Sequence, residues 1–394
     1  MICKGCYRNS EEGYCRNCRK RLFNGKNVPT ILTFGTPKDE NLKQYQEKTK
    51  RLSISGVQLK YSLKLEGSQL VLTETKGEYI LKPVPPTVEI EKSDQAPENE
   101  HLTMQIAGQI FDIDTADNAL IYFSDGIPAY LTKRFDVKPD GRKYLQEDMA
   151  QLSGRTRQTN GENFKYEGNY EEIGKLISSN VAAAPPAIEG FFKVVLFNYL
   201  FSNGDAHLKN FSLIETDRGD HGLSKAYDLM STILHTSGEY PTALELFKGD
   251  TEHEFFAKYG MYGQQVFRML AEKLGIADIR IERILNQMLS SRPAVITMIE
   301  KSFLSEEAKK LYRSNYERRL EFMGMTDQML IMAVDPLAKS TPTDRKFKLA
   351  FPRGVEKAGF FVNKLSKGRY LFLNADDNTE IEINAEELYS IVPL

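Results

Sequence analysis

Phe201-Ser202-Asn203-Gly204-Asp205-Ala206-His207-Leu208-Lys209-Asn210-Phe211-Ser212 is the stretch on which the reading of this chain turns. It follows an apolar run, Phe191 to Leu200, that reads as a buried helix. From Asp205 to Asn210 it holds a carboxylate, an imidazole, an amine and an amide. A short way on comes Tyr227-Asp228-Leu229-Met230-Ser231. Phosphoryl transfer needs one carboxylate beside the attacking hydroxyl, and an amide with a second carboxylate to hold a cation. Protein kinases space the first two as Asp-x-x-x-x-Asn. Asp205 and Asn210 have that spacing, and Asp228 can supply the second carboxylate. By itself the pair also fits a helix ending in a polar turn, with Asp205 and Asn210 as caps.

The longer string, Gly204-Asp205-Ala206-His207-x-Lys209-Asn210-Phe211-Ser212 with Tyr227-Asp228-x-Met230-Ser231, resembles the HipA family of bacterial toxin kinases. Further pieces follow in the family's order. Ser53-Ile54-Ser55-Gly56-Val57-Gln58-Leu59-Lys60 is similar to its glycine-containing loop, Tyr79-Ile80-Leu81-Lys82-Pro83 to its lysine strand, and Glu98-Asn99-Glu100 to the start of the next helix. Arg134-Phe135-Asp136 and Gln146-Glu147-Asp148-Met149-x-Gln151 match as well, so the resemblance covers roughly residues 50 to 330. It implies an α+β, two-lobed protein-kinase-like fold with a small β-rich N-lobe and a mainly helical C-lobe.

The resemblance also implies roles. Asp205 would orient and deprotonate the substrate hydroxyl. Asn210 and Asp228 would hold Mg2+, and Lys209 would neutralise charge on the transferred group. Lys82 would clamp the phosphates of ATP, with Glu100 as its partner. Gly56, Val57 and Gln58 would approach the phosphates from the loop. Lys133, Arg134 and Phe135 would meet the adenine, with His207 and Tyr227 beside the nucleotide. Ser53 and Ser55 would be autophosphorylation sites. The implied substrate is a protein, of the aminoacyl-tRNA synthetase class. The implied partners are a HipB-like DNA-binding antitoxin, through which alone DNA is met, and a small HipS-like protein. HipS enters because family members of standard length carry a larger N-terminal subdomain before the glycine loop. Its place here is taken by a short segment, as in the HipT type. The alternative is a non-catalytic, nucleotide-binding corepressor of a DNA-binding antitoxin.

The chain's 394 residues suffice for two or three domains. With 41% hydrophobic and 27% charged residues the composition is that of a globular protein, and the net charge of −2 excludes a global basic field for nucleic acid or membrane. No signal-like core opens the chain, and the Phe191–Phe201 stretch is too short to span a bilayer, so the sequence reads as cytoplasmic without membrane contact. All four cysteines fall in the first eighteen residues, as Cys3-x-x-Cys6 and Cys15-x-x-Cys18. Two such knuckles can wrap a tetrahedral Zn2+ with thiolates. A vestigial knuckle without metal fits the same spacing. Tyr7, Arg8, Arg16, Arg19, Lys20 and Arg21 also offer a weak nucleic-acid surface.

The boundaries follow from composition and pattern. Residues 1–28 form a four-cysteine, zinc-knuckle-like segment, 29–132 the N-lobe, 133–336 the helical lobe, and 337–394 a small β-rich tail. In the N-lobe, strands are expected at Tyr61–Leu65, Gln69–Thr73 and Gly77–Lys82, a helix at Glu98–Gly108, and a hairpin around Asp125-Gly126. Helices are expected at Tyr170–Asn180, Glu189–Ser202, Ile276–Ser290, Ala294–Lys301 and Glu306–Met323, with a break at Ala182–Pro186. The Gln146-Glu147-Asp148 motif fits a plain helix start and, equally, a polar wall of the catalytic cleft. Strands at Gly359–Val362, Arg369–Leu373 and Glu380–Ile383 follow a linker at Ser340–Thr343.

Overall fold

The computed structural model describes residues 1–36, 59–85, 90–236, 240–324, 347–350, 356–366, 369–377, 379–384 and 390–393. Gly56, Val57, Gln58, Ser53, Ser55 and the Ser340–Thr343 linker lie outside them. The chain forms two compact units, Met1–Phe247 with Ala271–Arg319, and Lys248–Leu270 with Leu320–Leu394.

In the first unit an antiparallel sheet is built from β1 (Tyr61–Glu66), β2 (Gln69–Leu72), β3 (Tyr79–Pro83), β4 (Asn118–Tyr122) and β5 (Pro128–Lys133). The spatial order is β2-β1-β3-β5-β4. Strand side chains alternate between faces. Leu63, Tyr79, Leu81, Ala119, Ile121, Ala129 and Leu131 pack in one core with Cys3, Cys18, Leu22 and Phe23, so the cysteine segment and its helix α1 (Arg16–Phe23) cover that face. Two buried hydroxyls fasten the layer. Tyr14 donates to the Leu120 carbonyl (2.7 Å), and Tyr79 donates to the Leu22 carbonyl (2.6 Å).

The even-numbered residues Lys82, Asn118 and Tyr130 belong to the opposite face, against which α2 (Ala96–Ile110) packs. Pro97 stands in the first turn of α2, where a missing N–H costs nothing. Several buried polar residues of α2 find partners, two of them on Asn118 of β4. Asn118 Oδ1 accepts from Gln105 Nε2 (2.8 Å) and from His101 Nδ1 (2.9 Å), and Asn118 Nδ2 donates to the Ala116 carbonyl (2.9 Å). Burial holds the His101 imidazole down at a pKa of about 4, so it stays neutral.

Below the sheet come β6 (Gln146–Asp148), α3 (Tyr170–Asn180), α4 (Ala184–Leu200), β7 (Ser212–Glu215) and β8 (His221–Leu223). They are followed by α5 (Asp278–Ser290), α6 (Arg292–Lys301) and α7 (Glu306–Gly324). Two expectations change. Gln146-Glu147-Asp148 is a strand, paired with β7 in the three-stranded sheet β6-β7-β8. Only Asp148 starts a helical turn, through a reciprocal cap with Gln151. The break expected at Ala182–Pro186 is present but shorter: α3 ends at Asn180 and α4 begins at Ala184. Pro185 and Pro186 fall in its first turn, where proline's fixed φ suits a helix.

The second unit contains the short helix Glu254–Tyr259 and a five-stranded antiparallel sheet. Its strands are β9 (Phe347–Ala350), β10 (Glu356–Ser366), β11 (Arg369–Asn374), β12 (Glu380–Asn384) and β13 (Ser390–Pro393), in the order β12-β11-β10-β9-β13. Phe361 centres its core, with ring contacts to Phe347, Tyr370 and Phe372. A Cβ on Gly359 would stand 1.9 Å from the Leu373 carbonyl oxygen, so that position in β10 admits only glycine. The tail is β-rich as expected, with β9 and β13 additional.

Asn118→Ala should lower the urea midpoint of unfolding by an amount equivalent to about 1–3 kcal/mol, because it strands two buried donors. Ile31→Ala, at a side chain left 59% exposed, should stay within about 0.5 kcal/mol of the parent. Equal midpoints for parent and Asn118→Ala would contradict the account of α2 docking.

Candidate active site

Helix α4 is buried along Phe191 to Leu200 and ends at Phe201. The chain turns sharply at Ser202, whose φ of +51° is unusual for a residue with a side chain. Several bonds hold it there. The Asn203 N–H donates to the Asn198 carbonyl (2.8 Å), Thr232 Oγ1 donates to the Ser202 carbonyl (3.0 Å), and Arg319 Nε donates to Ser202 Oγ (3.2 Å). The turn delivers Asp205 to a site where its side chain is 12% exposed.

Asn210 reaches back to Asp205. Its Nδ2 donates to the Asp205 carbonyl (2.9 Å), so Oδ1 is the side-chain atom with the chemistry to ligate a cation. Asn203, Asn210 and Asp228 line one pocket, so the expected amide and carboxylate are brought together. The Asp205 carboxylate accepts from the Tyr166 hydroxyl, with Lys165 Nζ at 3.9 Å and His207 Nε2 at 3.8 Å. His207 is 2% exposed and packs edge-on against Tyr166; burial pushes its pKa down to about 4. The ring is therefore uncharged at neutral pH. Lys209 extends to Asp148 Oδ2 (2.6 Å), which joins the Gln-Glu-Asp motif to the catalytic turn.

Three further charged groups meet under the sheet. Lys82, on β3, bonds Glu100 of α2 (2.5 Å) and also Asp228. Lys82 and Glu100 are 5% and 1% exposed, so this is a buried triad and not a surface pair. Burial would lower the lysine's pKa, but Asp228 and Glu100 together raise it above the ordinary range. Burial would likewise raise Asp228, but Lys82 and the nearby Lys60 (3.8 Å) hold it well below the carboxylate range. One ammonium thus serves two carboxylates. Glu100, the more deeply buried, is left with a pKa pushed up to about 7, burial outweighing the pull of Lys82. Asp228 has a φ of +55°, backbone strain of the kind that persists only where surroundings enforce it. Asn99 supplies one restraint: its Nδ2 donates to the Ser231 carbonyl (2.9 Å), and its Oδ1 accepts from the Ser231 N–H (3.1 Å).

The residues expected at the adenine are arranged differently from one another. Lys133 Nζ donates to the Arg21 carbonyl (3.0 Å) and to Asn24 Oδ1 (3.1 Å), facing the cysteine segment. Arg134 pairs with Asp136 (Nε to Oδ1, 2.9 Å). Phe135 lies against the Tyr227 ring, and Tyr227 in turn donates to the Lys209 carbonyl (2.9 Å). Sequence reasoning missed Lys165 and Tyr166, which sit in the polar, glycine-rich segment Gly154 to Gly168. It also missed the Asp148–Lys209 link and the two-way bond of Asn99. Cys3, Cys6, Cys15 and Cys18 come together at the far face of the sheet, their sulfurs all within 4.8 Å of one another.

A model of the HipA-like C-terminal domain family matches residues 52–296 of this chain. A Sinorhizobium fredii protein carrying the name "Putative kinase Y4dM" is 34% identical over 245 residues, 56% of this chain and 56% of its own length. A Haemophilus influenzae protein of similar name is 24% identical over 331 residues, covering 80% of this chain and 94% of that protein. The chain therefore spans little more than half of the first of these relatives. Among solved structures, a chain of the Shewanella oneidensis HipA, HipB and operator DNA complex superposes with a TM-score of 0.53 at 20% identity, covering 73% of this chain and 71% of that chain. That likeness is one of fold.

The triad generates a pH dependence. Unfolded, Glu100 loses its proton near the ordinary value of 4.5; folded, it keeps it to about 7. Between those values the folded state binds more protons, so this group's contribution to stability falls as pH rises. Glu98, pushed up to about 7 by burial, acts in the same window, so the difference between parent and Glu100→Gln isolates Glu100. In metal-free buffer, the parent should lose more stability than Glu100→Gln as pH rises across that window, read by urea unfolding. Parallel curves would refute the assignment.

Proposed function

The chain belongs to the HipA-like C-terminal domain family, and from that premise we propose that it is an ATP-dependent protein serine/threonine kinase, the toxin of a toxin–antitoxin system. The observation that supports this most directly is the convergence of Asp205, Asn210 and Asp228 beside the buried Lys82–Glu100 pair. These residues come from four separate elements, and a helix-capping role for Asp205 and Asn210 would require none of the others.

The donor set fits a hard divalent cation with a nucleotide. Asp228 is kept ionised at neutral pH, and Asn210 presents an amide oxygen, both oxygen ligands of the kind Mg2+ takes. Held by Asn210 and Asp228, Mg2+ would supply positive charge against the phosphates. The remaining work falls to the chain's own groups. Asp205 accepts the proton of a substrate serine or threonine hydroxyl, a position the Tyr166 hydroxyl now holds. Lys82 exchanges its bond to Asp228 for phosphate oxygens while Glu100 keeps it aimed. Lys209, held by Asp148, offsets charge on the transferred group.

The protein substrate belongs to the aminoacyl-tRNA synthetase class, the partners are a HipB-like DNA-binding antitoxin and a HipS-like small protein, and the site of action is the cytoplasm. The shared fold with the chain from the HipA–HipB–DNA complex supports the antitoxin assignment. Among the described residues, no helix is long and apolar enough to cross a membrane. Ser53 and Ser55 are the autophosphorylation sites in this reading. A phosphate added beside the nucleotide's own phosphates repels them, so modification is inhibitory.

Asp205→Asn should bind ATP as the parent does, while phosphoryl transfer falls by about 10²–10⁴-fold, because an amide keeps the shape and cannot take the proton. Asp228→Asn should instead weaken Mg2+-dependent nucleotide binding itself. Calorimetric affinities beside transfer rates distinguish them, and undiminished transfer by Asp205→Asn removes it as the base. After incubation with magnesium and ATP, mass spectrometry should find phosphate on Ser53 or Ser55 of the parent and none on Asp205→Asn. Replacing both serines by Asp should lower ATP affinity; unchanged affinity would rule out an inhibitory role for the loop phosphate.

A further inference from the structure

The four cysteines lie on the opposite face of the N-lobe sheet from the nucleotide side, yet the turn they form touches α2. A tetrahedral zinc thiolate site has Zn–S bonds of about 2.3 Å, which place the sulfurs about 3.8 Å apart. Cys6 Sγ and Cys15 Sγ are 3.7 Å apart, and all four sulfurs lie within 4.8 Å of one another. That is too long for a disulfide, whose sulfurs are about 2 Å apart. The backbone is shaped for sulfur that carries charge. The N–H groups of Gly5 and Cys15 point to Cys3 Sγ at 3.4 and 3.2 Å, and Arg21 Nη2 lies 3.9 Å from Cys18 Sγ. A Cβ on Gly5 would stand 2.8 Å from Cys18 Sγ, so the turn between the first two cysteines closes only with glycine.

The same turn is joined to α2. Gln109, in its last turn, donates to the Cys6 carbonyl (3.2 Å). Tyr7, the residue after Cys6, is buried and packs its ring on His101, one residue from Glu100, with centroids 4.9 Å apart. Tyr7 holds a φ of +60°, a conformation that costs a tyrosine energy and needs enforcement. The turn is short. Among the described residues its backbone restraints are bonds such as those from the Cys6 and Tyr7 N–H groups to the Cys3 carbonyl (3.4 and 3.1 Å).

We propose that Cys3, Cys6, Cys15 and Cys18 hold one Zn2+, and that this ion, by fixing the turn at Cys6–Tyr7, braces α2 and so holds Glu100 against Lys82. The ion adds a four-way tie to two cysteine pairs that the chain itself joins through backbone bonds such as that from the Lys4 N–H to the Gly13 carbonyl (2.8 Å). The brace acts through the Cys6 carbonyl and the Tyr7 ring, making Gln109 and Tyr7 positioning residues. Any effect on phosphoryl transfer rests on the kinase reading; metal content and α2 mobility do not.

The test uses the full-length protein purified without chelator. Metal analysis should give one zinc per chain. Titration with a zinc chelator under native conditions should release it and make the amides of residues 96–110 exchange at least about tenfold faster, with little change in α4. Tyr7→Ala and Gln109→Ala should keep the zinc and yet quicken exchange in α2. Cys15→Ser should lose the metal and match the chelated parent; should that variant fail to fold, the chelator titration decides alone. Zinc-free protein with four titratable thiols would overturn the site. Zinc that leaves without altering α2 exchange would overturn the brace. Nucleotide affinity measured alongside separates this proposal from the kinase reading, because loss of α2 protection with no nucleotide binding in any state would count against the latter only.

Discussion

Everything at the candidate site depends on keeping one ammonium, Lys82, buried between two carboxylates. Removing three charged groups from water is costly, and their mutual attraction repays it only where geometry is fixed and every remaining polar atom is served. The surrounding fold supplies that geometry. Lys82 comes from the central strand of the N-lobe sheet, Glu100 from the helix docked on that sheet's face, and Asp228 from a strained turn 146 residues away in sequence. No local rule could hold such a set. The sheet register, the depth of α2 and the turn at Asp228 must all be correct together, and an error in one leaves an uncompensated buried charge in the others.

The extra carboxylate gives the triad its chemical character. Within the buried triad one ammonium serves two carboxylates, with Lys60 as a second ammonium 3.8 Å from Asp228, and the two acids respond in opposite directions. Asp228, closer to solvent and near Lys60, stays ionised; Glu100, wholly enclosed, is the one driven toward the neutral form. On the proposed reading this makes the triad a primed cation site, and it explains why Asn99 grips Ser231 from both sides. The carboxylate has to be presented while the backbone that carries it is under strain.

How much of this could be read from the sequence depends on how far each interaction reaches. Asp205 and Asn210 are joined within one turn, but their spacing alone also fits a polar cap. The longer string around them, by its family resemblance, carried the reading, while the apolar run of α4 that delivers them was visible as burial. The alternation in β1 to β5 and the periodicity of α5 to α7 were equally visible, because burial of one face is a local pattern. What the pattern hid was of two kinds. Pro185 and Pro186 look like a break but sit in the first turn of α4, since proline is harmful only where an N–H is needed. Tyr166, Lys165 and the Asp148–Lys209 link are contacts between polar residues distant in sequence, for which neither composition nor period leaves a trace. The adenine contact expected of Lys133 came from the family resemblance alone; in the structure its ammonium faces α1, a direction that no local pattern encodes.

The cysteine segment shows how a very small unit can matter to a distant site. Residues 1 to 28 are too few to bury a core of their own, and below about 40 residues a fold usually borrows stability from a metal, a disulfide or a partner. This one draws on the N-lobe. Its Leu22 and Phe23 complete the sheet's core, and its Tyr14 hydroxyl donates to the sheet backbone while Tyr79 of the sheet donates back to Leu22. The dependence runs both ways, because Leu63, Tyr79, Leu81 and Leu131 would otherwise face water. A sheet covered on one face by α2 and on the other by the cysteine layer is therefore a sandwich whose two outer elements are mechanically connected, at Gln109 with Cys6 and at His101 with Tyr7. Since Glu100 lies on the first outer element and the sulfur cluster on the second, disturbance of the cluster reaches the buried lysine without crossing the cleft.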